Sequence, residues 1–270
     1  MIEFQHVTKA YPDGTLAVAD FSLRVDSHRT IALVGSSGSG KTTLLRMVNR
    51  MVEPTSGRIL IDGEDVALGD PVRLRRSIGY VLQSGGLMPH RTVLDNVAVV
   101  LRLNGVGKAQ ARERSLELMD RVGLDRALGR RYPRQLSGGQ QQRVGVARAL
   151  APEPDILLMD EPFGAVDPIV RRELQDELLR LQRDLGKTIL FVTHDIEEAF
   201  RLGDEVVILK PGGAIAQHGT PSEVLAFPSD EFVRGFIGAD RAERQMRLQT
   251  RGSRTIVLDG NGRPVGAVSK

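Results

Sequence analysis

A glycine-rich loop that contains one lysine is the first stretch of the sequence whose residue types could do chemistry. Residues 35–42 read GSSGSGKT and match G-x-x-x-x-G-K-[S/T] between an apolar run, IALVG, and helix-like sequence. Glycines let backbone N–H groups converge on phosphate oxygens without Cβ clashes, and the start of a helix adds partial positive charge. We expect Lys41 to reach the β- and γ-phosphates of a nucleotide and the Thr42 hydroxyl to ligate Mg²⁺. The residues predicted to bind the nucleotide here are Gly35, Ser36, Ser37, Gly38, Ser39, Gly40, Lys41, Thr42 and Thr43.

Two acids at the end of another apolar run are the expected companions of that loop. Residues 155–161 read DILLMDE, so a buried strand would deliver Asp160 and Glu161 to one edge of a sheet. Asp160 can hold Mg²⁺, usually through water, and Glu161 can orient and deprotonate the attacking water as a general base. An apolar strand that ends in acids is weak support alone, but its pairing with Lys41 and Thr42 makes the hypothesis strong.

A second glycine-rich stretch lies almost a hundred residues later and has no lysine in its loop. Residues 134–147 read RQLSGGQQQRVGVA, in which two glycines follow Ser137 and lead into helix-like sequence. A serine can cap a helix, and the N–H groups of a first helical turn suit an anion. Capping alone would explain Ser137 but would leave the Gly138-Gly139-Gln140 cluster without a purpose.

The elements that must position these residues alternate along the chain. Strand-like apolar runs occur at 31–35, 57–63, 77–83, 155–161, 188–194 and 205–210, and helix-like segments at 41–51, 110–122, 140–151, 168–185 and 196–202. Continuous Ile, Val and Leu runs are typical of strands buried on both faces, so the alternation predicts an α/β fold with a mainly parallel sheet. The alternation lapses between 84 and 154, where we expect a helical insertion. Asp167-Pro168 and Thr220 with Glu223 predict two helix starts.

Composition and charge exclude several classes of site. The 270 residues include no Cys, which excludes disulfides and thiolate chemistry. The sequence contains no run of about 18 apolar residues, the length needed to span a membrane, and no signal-peptide core. We therefore expect a cytoplasmic protein. Residues 239–270 carry seven basic and three acidic residues, a net charge of +4 that leaves −1 for residues 1–238. The main body is therefore not a basic platform, and we expect no nucleic-acid partner.

Together these motifs resemble the ATP-binding cassette (ABC) family, the ATPase subunits of ABC transporters, whose signature is LSGGQ. The resemblance covers residues 1 to about 238, as an ATPase domain, and includes five motifs in the family's order and spacing. It implies a P-loop NTPase cassette with a mainly parallel core sheet, an N-terminal antiparallel β subdomain and a helical signature-motif subdomain at about 84–154. It also implies ATP and Mg²⁺ as cofactors.

The resemblance gives the second glycine-rich stretch a role. In the family two cassettes pair head to tail, and the signature of one subunit closes on the γ-phosphate bound to the P-loop of the other. Carried over, Ser137, Gly138, Gly139 and Gln140 would complete the nucleotide site of a partner copy. The resemblance therefore implies a homodimer that ATP holds together.

Further residues match the family's motifs one by one. Gln83, at the end of SIGYVLQ, matches the Q-loop glutamine, which touches Mg²⁺ or the water, and His194 matches the switch histidine that contacts the γ-phosphate. Asp167 in FGAVDP matches the D-loop at the dimer interface, although Val166 stands where the family commonly has Leu. Tyr11 lies where the family places an aromatic that stacks on adenine, and its alternative role is packing against the first sheet.

Three longer stretches narrow the resemblance to one group of transporters. Residues 160–182, 193–213 and 218–241 are similar to the cassettes of bacterial importers for quaternary amine osmoprotectants: glycine betaine, carnitine, choline or proline. This implies integral membrane permease subunits, an extracytoplasmic substrate-binding protein and a peripheral position on the inner face of the cell membrane. An importer for an amino acid, sulfate or a sugar stays open, because the solute never touches this chain. A soluble non-transport ABC ATPase is the less favoured alternative.

The contact with the permease is expected in the segment after Gln83. The family's cassettes receive a coupling helix there, near Gly85, Leu87, Met88 and Pro89. The last three are apolar, and we expect them to be exposed on a lone cassette. The alternative is that Leu87 and Met88 pack inside the helical insertion.

Residues 239–270 form a short basic tail. TIVLDGNGRPVGAVS at 255–269 predicts a hairpin of two short strands around DGNG. It resembles one hairpin of the cystathionine-β-synthase-type regulatory modules that often follow the cassette in this family, but is too short for a pair. We interpret the basic residues at 241–254 as a solvated, partly ordered linker rather than as a lipid contact.

Overall fold

The computed structural model describes residues 1–83, 85–164, 166–238, 246–251, 254–258 and 260–268. In chain order the strands are β1 (Ile2–Ala10), β2 (Leu16–Val25), β3 (Thr30–Gly35), β4 (Ser56–Ile61), β5 (Glu64–Asp65), β6 (Ile78–Val81), β7 (Ile156–Asp160), β8 (Thr188–Thr193), β9 (Glu205–Leu209), β10 (Ile215–Gly219), β11 (Arg247–Arg251), β12 (Arg254–Leu258) and β13 (Pro264–Ala267). The helices are α1 (Lys41–Val48), α2 (Pro71–Ser77), α3 (Val93–Leu103), α4 (Lys108–Arg121), α5 (Gly138–Leu150), α6 (Pro168–Leu185), α7 (Ile196–Leu202), α8 (Pro221–Ala226) and α9 (Glu231–Ile237).

The central sheet confirms the predicted α/β class. Among the described residues it has the strand order β10-β9-β3-β8-β7-β6. Strands β9, β3, β8, β7 and β6 run parallel, and β10 is antiparallel to β9. Because βαβ connections carry the chain back to the same end of a sheet each time, the carboxyl ends of the parallel strands meet at one edge. The loops after β3, β6, β7 and β8 therefore lie along that edge.

Helices cover both faces of this sheet, which explains the continuous apolar runs. Every residue of β3, β7 and β8 is buried. Neighbouring residues of β3 belong to different cores: Leu33 packs with Leu44 of α1, whereas Ala32 packs with Leu202 of α7. A strand buried on both faces cannot alternate apolar with polar residues.

A second, antiparallel sheet of order β2-β1-β4-β5 lies against the α1 side of the core. It agrees with the predicted N-terminal antiparallel part of the fold, and it includes the 57–63 run, so that run is no part of the parallel sheet. Phe4 and Phe21 meet edge to face in its core, with ring centroids 5.2 Å apart. At Gly57, with φ of +78°, a Cβ would come within 2.2 Å of the His6 carbonyl oxygen, so only glycine fits.

Helices α3, α4 and α5 occupy the described part of the stretch between β6 and β7. The buried Asn96 of α3 fixes the loop that leads into this region. Its side-chain oxygen accepts the Met88 N–H at 2.7 Å, and its amide donates to the carbonyl oxygens of Met88, Arg91 and Thr92. One buried amide thus satisfies several backbone groups of the loop.

Two predicted helix starts are confirmed. The Asp167 carboxylate accepts the Ile169 N–H at 2.9 Å, and Pro168 is the first residue of α6. Thr220 and Glu223 form a reciprocal capping box at the start of α8. In the part of the chain that the structure describes, no helix is both long and apolar enough for a membrane crossing.

The described C-terminal residues form a small antiparallel sheet of order β11-β12-β13. The predicted hairpin is confirmed in β12 and β13, with Asp259 of its turn outside the described residues. Part of the segment interpreted as a solvated, partly ordered linker is regular: residues 247–251 form β11 and pair with β12, Leu248 opposite Val257. Of the rest of 241–254, residues 241–245 and 252–253 lie outside the described residues.

Candidate functional site

The loop between β3 and α1 wraps around the ammonium group of Lys41. The Lys41 Nζ donates to the carbonyl oxygens of Gly35 and Ser36, both at 2.8 Å, and to the Ser39 Oγ at 3.3 Å. A Cβ on Gly35 would lie 2.6 Å from the Leu209 carbonyl oxygen, so this turn needs glycine. The exposed tip of the loop is made of Ser36, Ser37 and Gly38.

The same loop is suited to a phosphate group. Burial lowers the pKa of Lys41, while the charges of Glu161 and Asp160 raise it. A buried cation at the start of a helix suits an anion, because the first N–H groups of the helix add partial positive charge at the same place. Gly40, with φ of +83°, lets the chain enter α1, where a Cβ would lie 2.5 Å from the Ala17 carbonyl oxygen.

Oxygen donors from α1 and β7 meet beside this loop. The Thr42 Oγ1 donates to one oxygen of the Asp160 carboxylate at 2.9 Å. The other oxygen accepts from the Tyr80 hydroxyl at 3.3 Å and from the Arg46 guanidinium at 3.5 Å. Burial, with the neighbouring Asp160 charge, raises the pKa of Tyr80 to about 12, so the phenol keeps its proton and remains a donor. Hydroxyl and carboxylate oxygens are the ligands that Mg²⁺ prefers, so Thr42 and Asp160 fit the predicted metal.

Sequence reasoning missed Tyr80 and Arg46. Arg46 stands four residues after Thr42 on α1, and that spacing puts two side chains on one helix face. Tyr80 lies in β6, the neighbour of β7, opposite Leu158 in the ladder. The helical spacing was a usable signal for Arg46, but the pairing of β6 with β7 is not readable from the sequence.

Glu161 lies where three strand ends meet. Its Oε2 accepts from the Gln83 amide at 3.1 Å and lies 3.3 Å from the His194 Nδ1. Gln83 follows β6 and His194 follows β8, so the neighbours of β7 on either side each contribute one side chain. The structure thus brings together all three residues predicted to be catalytic.

The backbone at Glu161 is held in an uncommon conformation. Its φ is +45°, in the left-handed region that residues with a Cβ seldom adopt, and its N–H donates to the Val192 carbonyl oxygen at 3.0 Å. Six other non-glycine residues of the described chain also have a positive φ, so the conformation alone does not mark a site. The Glu161 carboxylate lies against Gln83 and His194. A carboxylate at an open edge can take a proton from water.

The second glycine-rich stretch starts α5. The Ser137 Oγ accepts the Gln140 N–H at 3.2 Å, and the Gln140 side chain accepts the Ser137 N–H at 3.0 Å, which is a reciprocal capping box. A Cβ on Gly139 would lie 2.4 Å from a methyl of Val170 in α6. The capping role that the sequence suggested for Ser137 is therefore present. None of the described hydrogen bonds or ion pairs joins residues 136–140 to the loop at 35–43.

Tyr11 lies beside the loop at 35–43, whereas Asp167 lies at the start of α6. The Tyr11 hydroxyl is 3.4 Å from the Thr43 Oγ1, and the Lys9 Nζ lies 5.2 Å from the centre of its ring. Tyr11 therefore borders the start of α1, as a residue that contacts a nucleotide base would. Asp167 caps α6, and its role at a dimer interface stays a prediction.

The loop after Gln83 is less exposed than the sequence suggested. Leu87 and Met88 are half-buried, Gly85 is buried, and Pro89 is exposed. The expectation of exposure was wrong for Leu87, which packs against the main core, and for Met88, whose backbone Asn96 holds. Both contacts depend on how the loop packs on the helices that follow it, which the local apolar pattern does not show.

Arg148 ties this loop to the helix that starts at the second glycine-rich stretch. Its guanidinium donates to the carbonyl oxygens of Gly85 and Gly86, both at 2.7 Å, and burial lowers its pKa. A Cβ on Gly145 would lie 3.2 Å from the Gly85 Cα, so the loop and α5 are in close contact. Sequence reasoning missed Arg148, and nothing in its local sequence marks it.

Comparison with known proteins gives consistent matches. The family model described as ABC transporter matches residues 18–164. The carnitine transport ATP-binding protein OpuCA of Listeria monocytogenes serotype 1/2a (strain 10403S) is 52% identical over 241 residues, 89% of this chain and 60% of that protein. The glycine betaine uptake system ATP-binding protein YehX of Escherichia coli (strain K12) is 49% identical over 248 residues, 92% of this chain and 79% of that protein. This chain thus spans 60% of the length of the carnitine relative.

Solved structures match as well. The dimeric structure of MJ0796, described as a bacterial ABC transporter cassette, has a TM-score of 0.75 at 35% identity and covers 82% of this chain and 99% of that one. A second dimeric structure of the same ATP-binding cassette, described as a post-hydrolysis state bound to ADP and Pi, has a TM-score of 0.75 at 34% identity, with the same coverage.

Proposed function

Because this chain belongs to the ABC transporter family, we propose that it is the ATP-binding, ATP-hydrolysing subunit of an importer for quaternary amine osmoprotectants. The observation that carries the catalytic part is the convergence of Gln83 and His194 on the Glu161 carboxylate beside the Lys41 loop. The relatives named for carnitine and glycine betaine transport support the solute class, in which we include choline and proline.

The residues of the site have separable tasks in this proposal. The loop at 35–43 and the Lys41 ammonium hold the phosphates of ATP, with Tyr11 against the adenine. Thr42, Asp160 and Gln83 would hold Mg²⁺, which when bound neutralises charge on the phosphates. Glu161 orients the attacking water and takes its proton, and His194 contacts the γ-phosphate.

We also propose that two copies share each nucleotide. Ser137 and Gly138 are exposed at the N-terminus of α5, and the first N–H groups of a helix have no partner within that helix. These groups point outward, and none of the described hydrogen bonds or ion pairs connects them to the Lys41 loop of the same chain. With Gly139, Gln140 and Asp167 they would face the nucleotide of the partner copy, and the dimeric cassette structures support that arrangement.

A substitution at Ser137 tests the shared site. We expect Ser137→Arg to leave ATP binding to the same chain unchanged and to lower turnover at least about tenfold, because a long side chain would occupy the place of the partner's γ-phosphate. Equilibrium ATP binding and steady-state hydrolysis would be measured on one preparation. Ser137→Ala is the matched control, since it loses the cap, at a cost of about 1 kcal/mol in stability, without adding bulk. Equal turnover in the Arg variant and the wild type would contradict the shared site.

Transport requires membrane partners, which this chain would contact from the inner side of the membrane. We propose that it lies on the inner face of the cell membrane, against integral permease subunits that work with an extracytoplasmic substrate-binding protein. The loop at 85–89 is the proposed contact, with Pro89 exposed at its surface. Arg148 supports this choice, because it would pass a displacement of Gly85 and Gly86 directly to α5.

The proposed organisation divides the chain in two. Residues 1–238 would be the ATPase domain, with its helical part at about 84–154, and 239–270 a basic tail. The hairpin of β12 and β13 supports a relationship of the tail to one piece of a cystathionine-β-synthase-type regulatory region.

The solute is tested with the assembled transporter. The chain would be reconstituted with its permease and binding protein, and uptake of labelled glycine betaine, carnitine, choline and proline would be measured with and without ATP. We expect ATP-dependent uptake of at least one of them, and none in a complex that carries Glu161→Gln. ATP-dependent uptake of an amino acid, sulfate or a sugar in place of all four would contradict the solute class while leaving the ATPase role in place.

A further inference from the structure

The buried Thr193 side chain fixes the backbone on both sides of His194. Thr193, which precedes His194, is 2% exposed, and Glu198 of α7 is 6% exposed. The Thr193 hydroxyl donates to the Glu198 carboxylate and at the same time accepts the Asp195 N–H at 3.0 Å. The Thr193 hydroxyl oxygen thus links Thr193 and Asp195, the residues on either side of His194, and Glu198 holds that oxygen in place.

Asp195 adds a second attachment, to α6, the helix that begins after Asp167. Its Oδ1 accepts the Glu197 N–H at 2.9 Å, and its Oδ2 lies 3.7 Å from the Arg171 guanidinium of α6. The same guanidinium donates to the Val166 carbonyl oxygen at 3.4 Å. The backbone around His194 is therefore held from α7 and from the start of α6 together.

A buried carboxyl group in this place is costly. Burial raises the pKa of Glu198, and the contact with Thr193 only partly offsets that. A polar group removed from water destabilises a fold unless its hydrogen bonds replace those to solvent, and an apolar side chain could fill the same space at lower cost. Its hydrogen bond to Thr193 and its polar contact with Gln175 are what Glu198 provides there that an apolar residue could not, and only the bond to Thr193 leads to His194.

We propose that Glu198 is a positioning residue that acts through Thr193 to hold His194 against Glu161. The proposal rests on the proposed function, in which Glu161 takes the proton of the attacking water and His194 contacts the γ-phosphate. The 3.3 Å separation of the His194 Nδ1 from the Glu161 Oε2 is the distance that Glu198 maintains. Glu198 itself touches neither nucleotide nor water in this account.

Three variants and a control test the proposal by ATP hydrolysis. Glu198→Ala removes the acceptor, Thr193→Val removes the hydroxyl at nearly constant shape, and Glu198→Gln keeps an oxygen that can accept. We expect the first two to lower kcat about tenfold with an almost unchanged KM for ATP, and the Gln variant to recover most of the rate. Glu197→Ala changes the exposed neighbour on the same helix and should leave kcat unchanged. An unchanged kcat in Glu198→Ala and Thr193→Val would overturn the proposal.

A double-mutant cycle separates positioning from general stabilisation. If Glu198 acts through His194, Glu198→Ala should have almost no further effect on kcat in a chain that already carries His194→Ala. The same tenfold loss in both backgrounds would show that Glu198 acts elsewhere, and would overturn the proposal. Thermal unfolding of each variant accompanies the rates, and the Gln and Val variants carry the test if Glu198→Ala does not fold.

A readout without catalysis distinguishes this proposal from the proposed function. The chain has five histidines, so ¹⁵N-histidine labelling gives a simple NMR spectrum in which His194→Ala assigns the His194 signal. We expect Glu198→Ala and Thr193→Val to shift that signal and Glu197→Ala to leave it in place. An unmoved His194 signal in both would overturn the positioning role even if the chain hydrolyses ATP. A wild-type chain with no ATPase activity would instead contradict the proposed function, and the NMR comparison would still decide the role of Glu198.

Discussion

Glu161→Gln is expected to bind ATP normally and to lose about a thousandfold in hydrolysis, within the range that a general base contributes. Glutamine has the size of glutamate and still offers one oxygen to the Gln83 amide, which now lies 3.1 Å from the Glu161 Oε2. It cannot take a proton from water at neutral pH. The substitution therefore removes the chemistry while leaving the geometry of the strand ends in place.

The same variant should accumulate as a dimer with ATP trapped between two copies. ATP binds the closed pair more tightly than the separate chains, so blocking hydrolysis stabilises that pair by mass action. Light scattering after gel filtration, with and without ATP and Mg²⁺, measures the dimer, and phosphate release measures the rate. Glu113→Gln, an exposed change of the same kind on α4, is the matched control. Full ATPase activity in Glu161→Gln would remove Glu161 from the role of general base.

Lys41→Ala is expected to weaken ATP binding about a hundredfold, the equivalent of one or two charge-assisted hydrogen bonds to phosphate. The Lys41 ammonium is buried, and the carbonyl oxygens of Gly35 and Ser36 hold it at 2.8 Å. Its removal leaves both carbonyls without their cation and takes from the loop the positive charge that attracts phosphate. Titration of fluorescent ATP measures the affinity, and thermal unfolding shows whether the loop still supports the fold.

Lys108→Ala is the control for that experiment. Lys108 is exposed at the start of α4, and losing its charge should not change ATP affinity. If Lys41→Ala bound ATP as tightly as the wild type, the assignment of the loop at 35–42 as the phosphate site would be wrong.

Much of the fold could be predicted because its physics is local. Strands β3, β7 and β8 are buried on both faces, so each one is a continuous apolar run whatever lies beside it. The Thr220 capping box is likewise a property of four consecutive residues. By contrast, the strand β11 exists through its pairing with β12, and its own sequence, RLQTR, carries no strong strand signal.

The candidate site divides in the same way. The residue types at Lys41 and Glu161 follow from the chemistry, and their motifs mark them in the sequence. The second contact of the Asp160 carboxylate, to Tyr80, depends on which strands are neighbours, and the bond of Arg148 to the loop at 85–86 depends on how α5 packs against that loop. The close packing of Gly139 on Val170 shows that this glycine serves the packing of α5 against α6 within its own chain.

The central claim is that ATP lies between the first glycine-rich loop of one copy and the second of its partner. Mixing the impaired Lys41→Ala and Ser137→Arg chains, at an ATP concentration that fills the wild-type loop but not the Lys41→Ala loop, tests it most directly. In a mixed pair both changes fall in the same composite site, which leaves the other site with an unaltered Lys41 and an unaltered Ser137. Half of randomly formed pairs are mixed, so hydrolysis should return to at most about a quarter of the wild-type rate. A mixture no more active than either variant alone would contradict the shared site and with it the account.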